Sequence, residues 1–243
     1  MLTGLLVLCG LGYLATQTVW SSPGPLDLGP QSQQQVLLEA QAASPATAAP
    51  AAPAAKAGPP RVDEAWVAEN ATKAGIPVPA MRAYANAQLT KPKGCEVGWT
   101  TLAGIGWIES QHGTVGDRTL GDDGHSSTPI LGPALDGDPF AAIRATPQTT
   151  AWHGDPDWDH AVGPMQFIPS TWEQWGTDGD GDGVADPNDI DDAAATAVAY
   201  VCADGHDLTS GAGWADAIFG YNHDDAYVAN VHAAASEYAE RTS

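Results

Sequence analysis

Residues 97–111, VGWTTLAGIGWIESQ, decide the reading of the fold. Leu102, Ile105 and Glu109 fall at i, i+3 and i+7, so this run predicts a helix whose apolar stripe continues into a carboxylate. A carboxyl group placed there loses water, and desolvation favours its protonated form. That is the property a general acid requires. Taken alone, a glutamate near a helix end is more often a surface or structural residue, so the neighbouring sequence has to decide.

Working outward, helical signals dominate on both sides. VDEAWVAENATKAG (62–75) predicts one helix, closed by Gly75 and the Pro77/Pro79 pair, and PAMRAYANAQL (79–89) a second. Residues 113–162 are rich in Gly, Asp and Pro and read as long loops, with one short helix near 140–143. Ser170 and Glu173 have capping-box spacing for a short helix through Trp175. Asp189 or Asp191 caps another, with Ile190, Ala194, Ala197, Val198 and Val201 on one face and Gly205 as its stop. The last helices are expected at about 214–219 and 225–241. No strand signal is strong and no repeat is visible. The fold class is therefore mainly α, one helical domain with long loops over residues 61–243.

Ahead of that domain the composition changes twice. Residues 1–20, MLTGLLVLCGLGYLATQTVW, are apolar and uncharged, which fits a signal peptide or a membrane anchor. Residues 21–60 include ATAAPAAPAAKAGPP and have no aromatic residue to pack, the signature of an extended, disordered linker. An extracytoplasmic protein follows, secreted or held at the outer face of the membrane. Cys9 lies in the apolar segment, so Cys95 and Cys202 remain as a disulfide pair by compartment and parity. The formal charge of −21, from 30 acidic against 9 basic residues, excludes a nucleic-acid partner, because a phosphate backbone is held by Lys and Arg clusters.

Part of the acidity is concentrated in DGDGDGVADPND (178–189). Asp178, Asp180 and Asp182 stand at positions 1, 3 and 5 of an EF-hand-like loop, with Gly183 at the sharp turn. Val184 would offer its carbonyl, Asp186 stands at position 9, and Asp189 replaces the usual Glu at position 12. Asp191 or Asp192 could take that last place. Hard oxygen ligands in this spacing point to one structural calcium ion and to no organic cofactor. The seven histidines make no zinc spacing, and neither His-Glu-x-x-His nor Gly-x-Ser-x-Gly occurs.

GIGWIESQHG (104–113), AVGPMQFIPSTW (161–172), the Asp-rich loop and YNHDDAYV (221–228) follow one another in that order. In this set the sequence resembles the lytic murein transglycosylases of the membrane-bound B type, particularly their actinobacterial branch, over about residues 61–240. The resemblance implies a lysozyme-like helical fold, peptidoglycan glycan strands as substrate, and Glu109 as the single catalytic carboxylate. It implies cleavage between N-acetylmuramic acid and N-acetylglucosamine with formation of a 1,6-anhydro end. Substrate contacts are expected from Ser110, Met165, Gln166, Phe167, Tyr221 and Asn222, with Tyr221 positioning the carboxyl group or the substrate. On chemistry alone Met165 and Phe167 fit a sugar face or the core equally well, and Asn222 fits a cap for the following helix. The rivals are a hydrolytic muramidase, with water activated by a loop carboxylate among Asp117, Asp122, Asp123, Asp155, Asp157 and Asp159, and an inactive calcium-stabilised wall-binding module.

Overall fold

Among the described residues, Asp63 starts the first helix because its carboxylate accepts from the backbone N–H groups of Ala65 and Trp66, two of the donors a helix leaves open at its N-terminus. This helix, α1 (Glu64–Ala74), stops at Gly75, whose φ of 73° is the left-handed C-terminal turn that glycine adopts without strain. Pro79 sits in the first turn of α2 (Val78–Leu89), where its missing N–H costs nothing. The third helix, α3 (Trp99–Ser110), has a glycine at its N-cap, and Gln88 substitutes for a capping side chain: its Oε1 accepts from Trp99 N–H at 2.6 Å.

The computed structural model describes residues 58–137 and 142–243. The apolar segment 1–20 and all but the last three residues of the linker 21–60 lie outside them. The short helix expected near 140–143 lies half outside, and Ala142 pairs with Asp136 in an isolated β-bridge. Among the described residues, no helix is long and apolar enough to cross a membrane.

Five further helices follow among the described residues: α4 (Pro147–His153), α5 (Pro169–Trp175), α6 (Ile190–Val201), α7 (Gly211–Tyr221) and α8 (Asp225–Thr242). Between α3 and α4 comes β1 (Leu131–Ala134), and between α4 and α5 β2 (His160–Val162), paired antiparallel. The chain is thus mainly helical, as the sequence indicates. The strand pair and α4 lie inside the stretch expected to be loop. α4 is opened by a reciprocal capping box between Thr146 and Thr149. The capping box expected at Ser170 and Glu173 does not form. Pro169 opens α5 after Ile168, with no side-chain cap, because proline brings a helical φ and no N–H to satisfy. Asp189, not Asp191, caps α6, and α6 ends at Cys202 ahead of Gly205.

The core gathers around α3. Gly104 lets α3 approach α8 closely: a Cβ there would lie 2.8 Å from the Val231 carbonyl oxygen. On another side, Gly106 leaves room for the hydroxyl of Tyr84 from α2. Trp99, Leu102 and Ile105 are fully enclosed. Cys95, just before α3, is bonded to Cys202 at the end of α6, with Cα atoms 5.7 Å apart. That link spans 107 residues, and such bonds stabilise by about 2–4 kcal/mol. At the domain's start, Arg61 donates to the Asp180 carbonyl and lies 3.8 Å from the Asp191 carboxylate, while Pro59 packs on Gly181.

Candidate active site

Glu109 lies in the last turn of α3, on the stripe begun by Leu102 and Ile105, and is half-buried. The hydroxyl of Tyr227, from the first turn of α8, donates to its Oε1 at 2.6 Å. Loss of water pushes the Glu109 carboxyl up from 4.5 to about 8, and the Tyr227 hydrogen bond offsets only part of that rise. Glu109 therefore carries a proton at neutral pH.

Tyr221 lies beside Glu109 but is bonded to Met165 instead. Tyr221 stacks parallel to Tyr227, with centroids 6.4 Å apart, and its hydroxyl donates to the Met165 carbonyl at 2.9 Å. It holds the 163–167 turn, while Tyr227 holds Glu109. The sequence contains the signal for Tyr227: it stands on the buried stripe of α8 with Val231, Ala235 and Tyr238, a polar tip on an apolar row.

The turn itself is built against its neighbours. Gly163 has φ 81°, and a Cβ there would fall 1.7 Å from the Pro187 carbonyl oxygen. The close approach that Gly163 permits is thus to the Asp-rich loop rather than to a ligand. Ser110 is 1% exposed; its Oγ donates to the Pro164 carbonyl and accepts from Gly113 N–H at 2.8 Å. It ties the end of α3 to the turn. Met165 and Phe167 are in the core, Phe167 between the rings of Trp172 and Tyr221, so neither offers a face to a sugar. Gln166 is half-buried with φ 52°, a left-handed conformation that costs a non-glycine residue about 1–3 kcal/mol. Its Nε2 donates to the Gly163 carbonyl at 2.9 Å, and its Oε1 lies over Gly132, where a Cβ would come within 2.8 Å. Asn222 closes α7 and is buried, with its Oδ1 unpartnered; Asp224, not Asn222, caps α8.

Of the loop carboxylates, Asp159 is buried and accepts from Thr149 at 2.5 Å and faces His153 at 3.2 Å. Asp155 accepts from Asp157 N–H and Trp158 N–H and faces His160. Those bonds, the Asp157 N–H first, pull the Asp155 carboxyl down to about 2. Asp123 accepts from His125 N–H, and Asp117, Asp122, Asp123 and Asp157 are all exposed.

In the Asp-rich loop, oxygens of Asp178, Asp180 and Asp192 converge within 4.8 Å of one another, a set that could hold a metal ion. Backbone N–H groups fix these carboxylates: Gly181 and Gly183 donate to Asp178, Asp182 to Asp180, and Gly179 and Asp186 to Asp192. Asp182, Asp186 and Asp189 are not in the converging set. Asp182 accepts from Val184 N–H, Asp186 from Asn188 N–H, and Asp189 from Asp191 N–H at the start of α6. Val184 is 60% exposed. Burial first, with crowding among the acids, raises the Asp189, Asp191 and Asp192 carboxyls to about 6.

No curated protein and no solved structure matches the chain. Residues 147–219, which hold the 163–167 turn and the Asp-rich loop but neither Glu109 nor Tyr227, match the family model described as "Transglycosylase SLT domain".

Proposed function

We propose that this protein is a peptidoglycan lytic transglycosylase that cleaves the β-1,4 bond between N-acetylmuramic acid and N-acetylglucosamine. The observation that carries the reading is the placement of Glu109, half-buried in the last turn of α3 and bonded to Tyr227, where loss of water pushes its carboxyl up to about 8. Glu109 donates its proton to the bridging oxygen as the bond from that oxygen to the muramic C1 breaks. The resulting carboxylate, still held by Tyr227, takes the proton from the muramic 6-hydroxyl as that oxygen bonds to C1. The proton is returned to Glu109, and the product carries a 1,6-anhydro ring. Proximity of the internal hydroxyl replaces activation of a water molecule. The engagement of Asp155 and Asp159 by histidine and backbone partners favours this route over hydrolysis.

Calcium fits the converging carboxylates of Asp178, Asp180 and Asp192, which are crowded, partly buried acids with hard oxygen atoms. Such an ion would supply no bond chemistry; it would fix the loop whose Pro187 supports Gly163. The apolar segment 1–20 would export the domain or anchor it outside the cytoplasmic membrane.

Mass analysis of muropeptides released from purified wall tests the proposal. The expected products are one water lighter than those of a hydrolytic muramidase and are inert to borohydride. Reducing muramic acid ends would refute the anhydro route.

A further inference from the structure

After Ser110 the backbone takes three successive left-handed residues: Gln111 (φ 54°), His112 (φ 60°) and Gly113 (φ 81°). Only the last is a glycine, so something must hold the other two there. The N–H groups of Gln111 and His112 turn back to the Trp107 and Gly106 carbonyls, both at 2.9 Å. The His112 side chain supplies the rest. It is 2% exposed and sits among the rings of Tyr84, Trp107 and Tyr238, with centroids 5.6–5.7 Å away.

Both ring nitrogens are engaged. Nδ1 lies 3.0 Å from the Tyr84 hydroxyl of α2, and Nε2 lies 2.8 Å from the Tyr238 hydroxyl of α8. Burial lowers the imidazole to about 3, so it is neutral: one nitrogen donates and the other accepts. The ring therefore joins three helices at the end of α3.

Helix α8 meets that end twice, through Tyr227 on Glu109 and through Tyr238 on His112. The two tyrosines are eleven residues apart, about 16 Å along the helix. Two attachments so far apart fix both the rotation and the sliding of α8 against the last turn of α3.

We infer that His112 is a positioning residue for Glu109: by joining Tyr84 and Tyr238 it fixes α8 so that Tyr227 meets the carboxyl group and water is kept from it. This rests on the proposed role of Glu109. The titratable groups facing Glu109 are Tyr227 from α8 and Tyr221 from α7. Those facing His112 are Tyr84 and Tyr238, and Glu237 and Arg241 stand near Tyr238.

The test uses His112→Phe, which keeps an aromatic ring, and Tyr238→Phe, which leaves His112 and its backbone untouched. Glu109 ionisation is followed by carboxyl-labelled NMR, with Glu109→Gln identifying its signal. Cleavage of wall glycan is followed as kcat and KM. Both variants should move the Glu109 midpoint down by one pH unit or more, because desolvation is the largest cause of its raised value. They should lower kcat at least tenfold with KM changed less than twofold. A core change far from the site, Val67→Ala, should leave midpoint and kcat unchanged. An unmoved Glu109 midpoint in folded His112→Phe or Tyr238→Phe overturns the inference, as does an equal kcat loss in Val67→Ala. If the wild type does not cleave wall, the proposed function fails, and the NMR titration still decides the positioning role.

Discussion

Replacing Glu109 with glutamine should stabilise the protein, but only as the pH rises. The amide keeps an oxygen that can accept from Tyr227 and has no proton to lose. In the wild type the folded-state value of about 8 lies above the unfolded value of 4.5, so the native chain holds this proton more tightly. The associated stability is complete below about pH 4.5 and is lost as pH rises through 8. At about 1.36 kcal/mol per pH unit the shift sets an upper limit of roughly 5 kcal/mol. Glu109 is only partly buried, and solvent screening reduces the net effect to about 2 kcal/mol. For a domain of this size that amounts to about 4–8 °C in melting temperature. Calorimetric melts from pH 4 to pH 9 should show the two proteins coinciding at the acid end and the variant melting higher at pH 9. Parallel curves across the range, or a gap that opens toward acid, would refute the assignment of a desolvated, protonated Glu109.

Two further outcomes separate neighbouring groups. Tyr227→Phe removes the hydrogen bond that favours the Glu109 carboxylate, so the alkaline limb of the pH–rate profile should move upward while kcat falls by about tenfold or more; an unshifted limb would detach Tyr227 from Glu109. Chelation should lower the melting temperature of the wild type but not of Asp178→Ala, whereas Asp189→Ala should lose about 1 kcal/mol of capping and remain sensitive to chelator. The reverse pattern would return the loop to the spacing read from the sequence.

Periodicity exposed what depends on neighbours along the chain. The stripe through Leu102, Ile105 and Glu109 is visible at 3.6-residue spacing, and the expected Cys95–Cys202 pair is joined. Contacts that depend on crossing helices were not visible. Tyr221 and Tyr227 are both buried tyrosines beside the same motif, and only the packing of α8 on α3 shows which one reaches Glu109. Asp192 joins Asp178 and Asp180 because the first turn of α6 folds back over the loop, while Asp189 is diverted to cap that helix. Met165 and Phe167 illustrate the limit of composition: their apolar surface fits a sugar or a core, and the full burial of Met165 and the enclosure of Phe167 by Tyr221 and Trp172 decide for the core. The β1–β2 pair is not legible in the sequence because Gly132 and Pro133 carry little strand propensity.

The grip of Arg61 on the Asp-rich loop has a mechanical side. Tension applied to the chain ahead of Pro59 would load the Pro59 contact on Gly181 and the Arg61 bond to Asp180, beside the crowded carboxylates. From there it runs along the loop to Pro187, whose carbonyl bears on Gly163. Because Gly163 belongs to the same turn that Ser110 ties to the end of α3, this path of contacts ends one residue from Glu109.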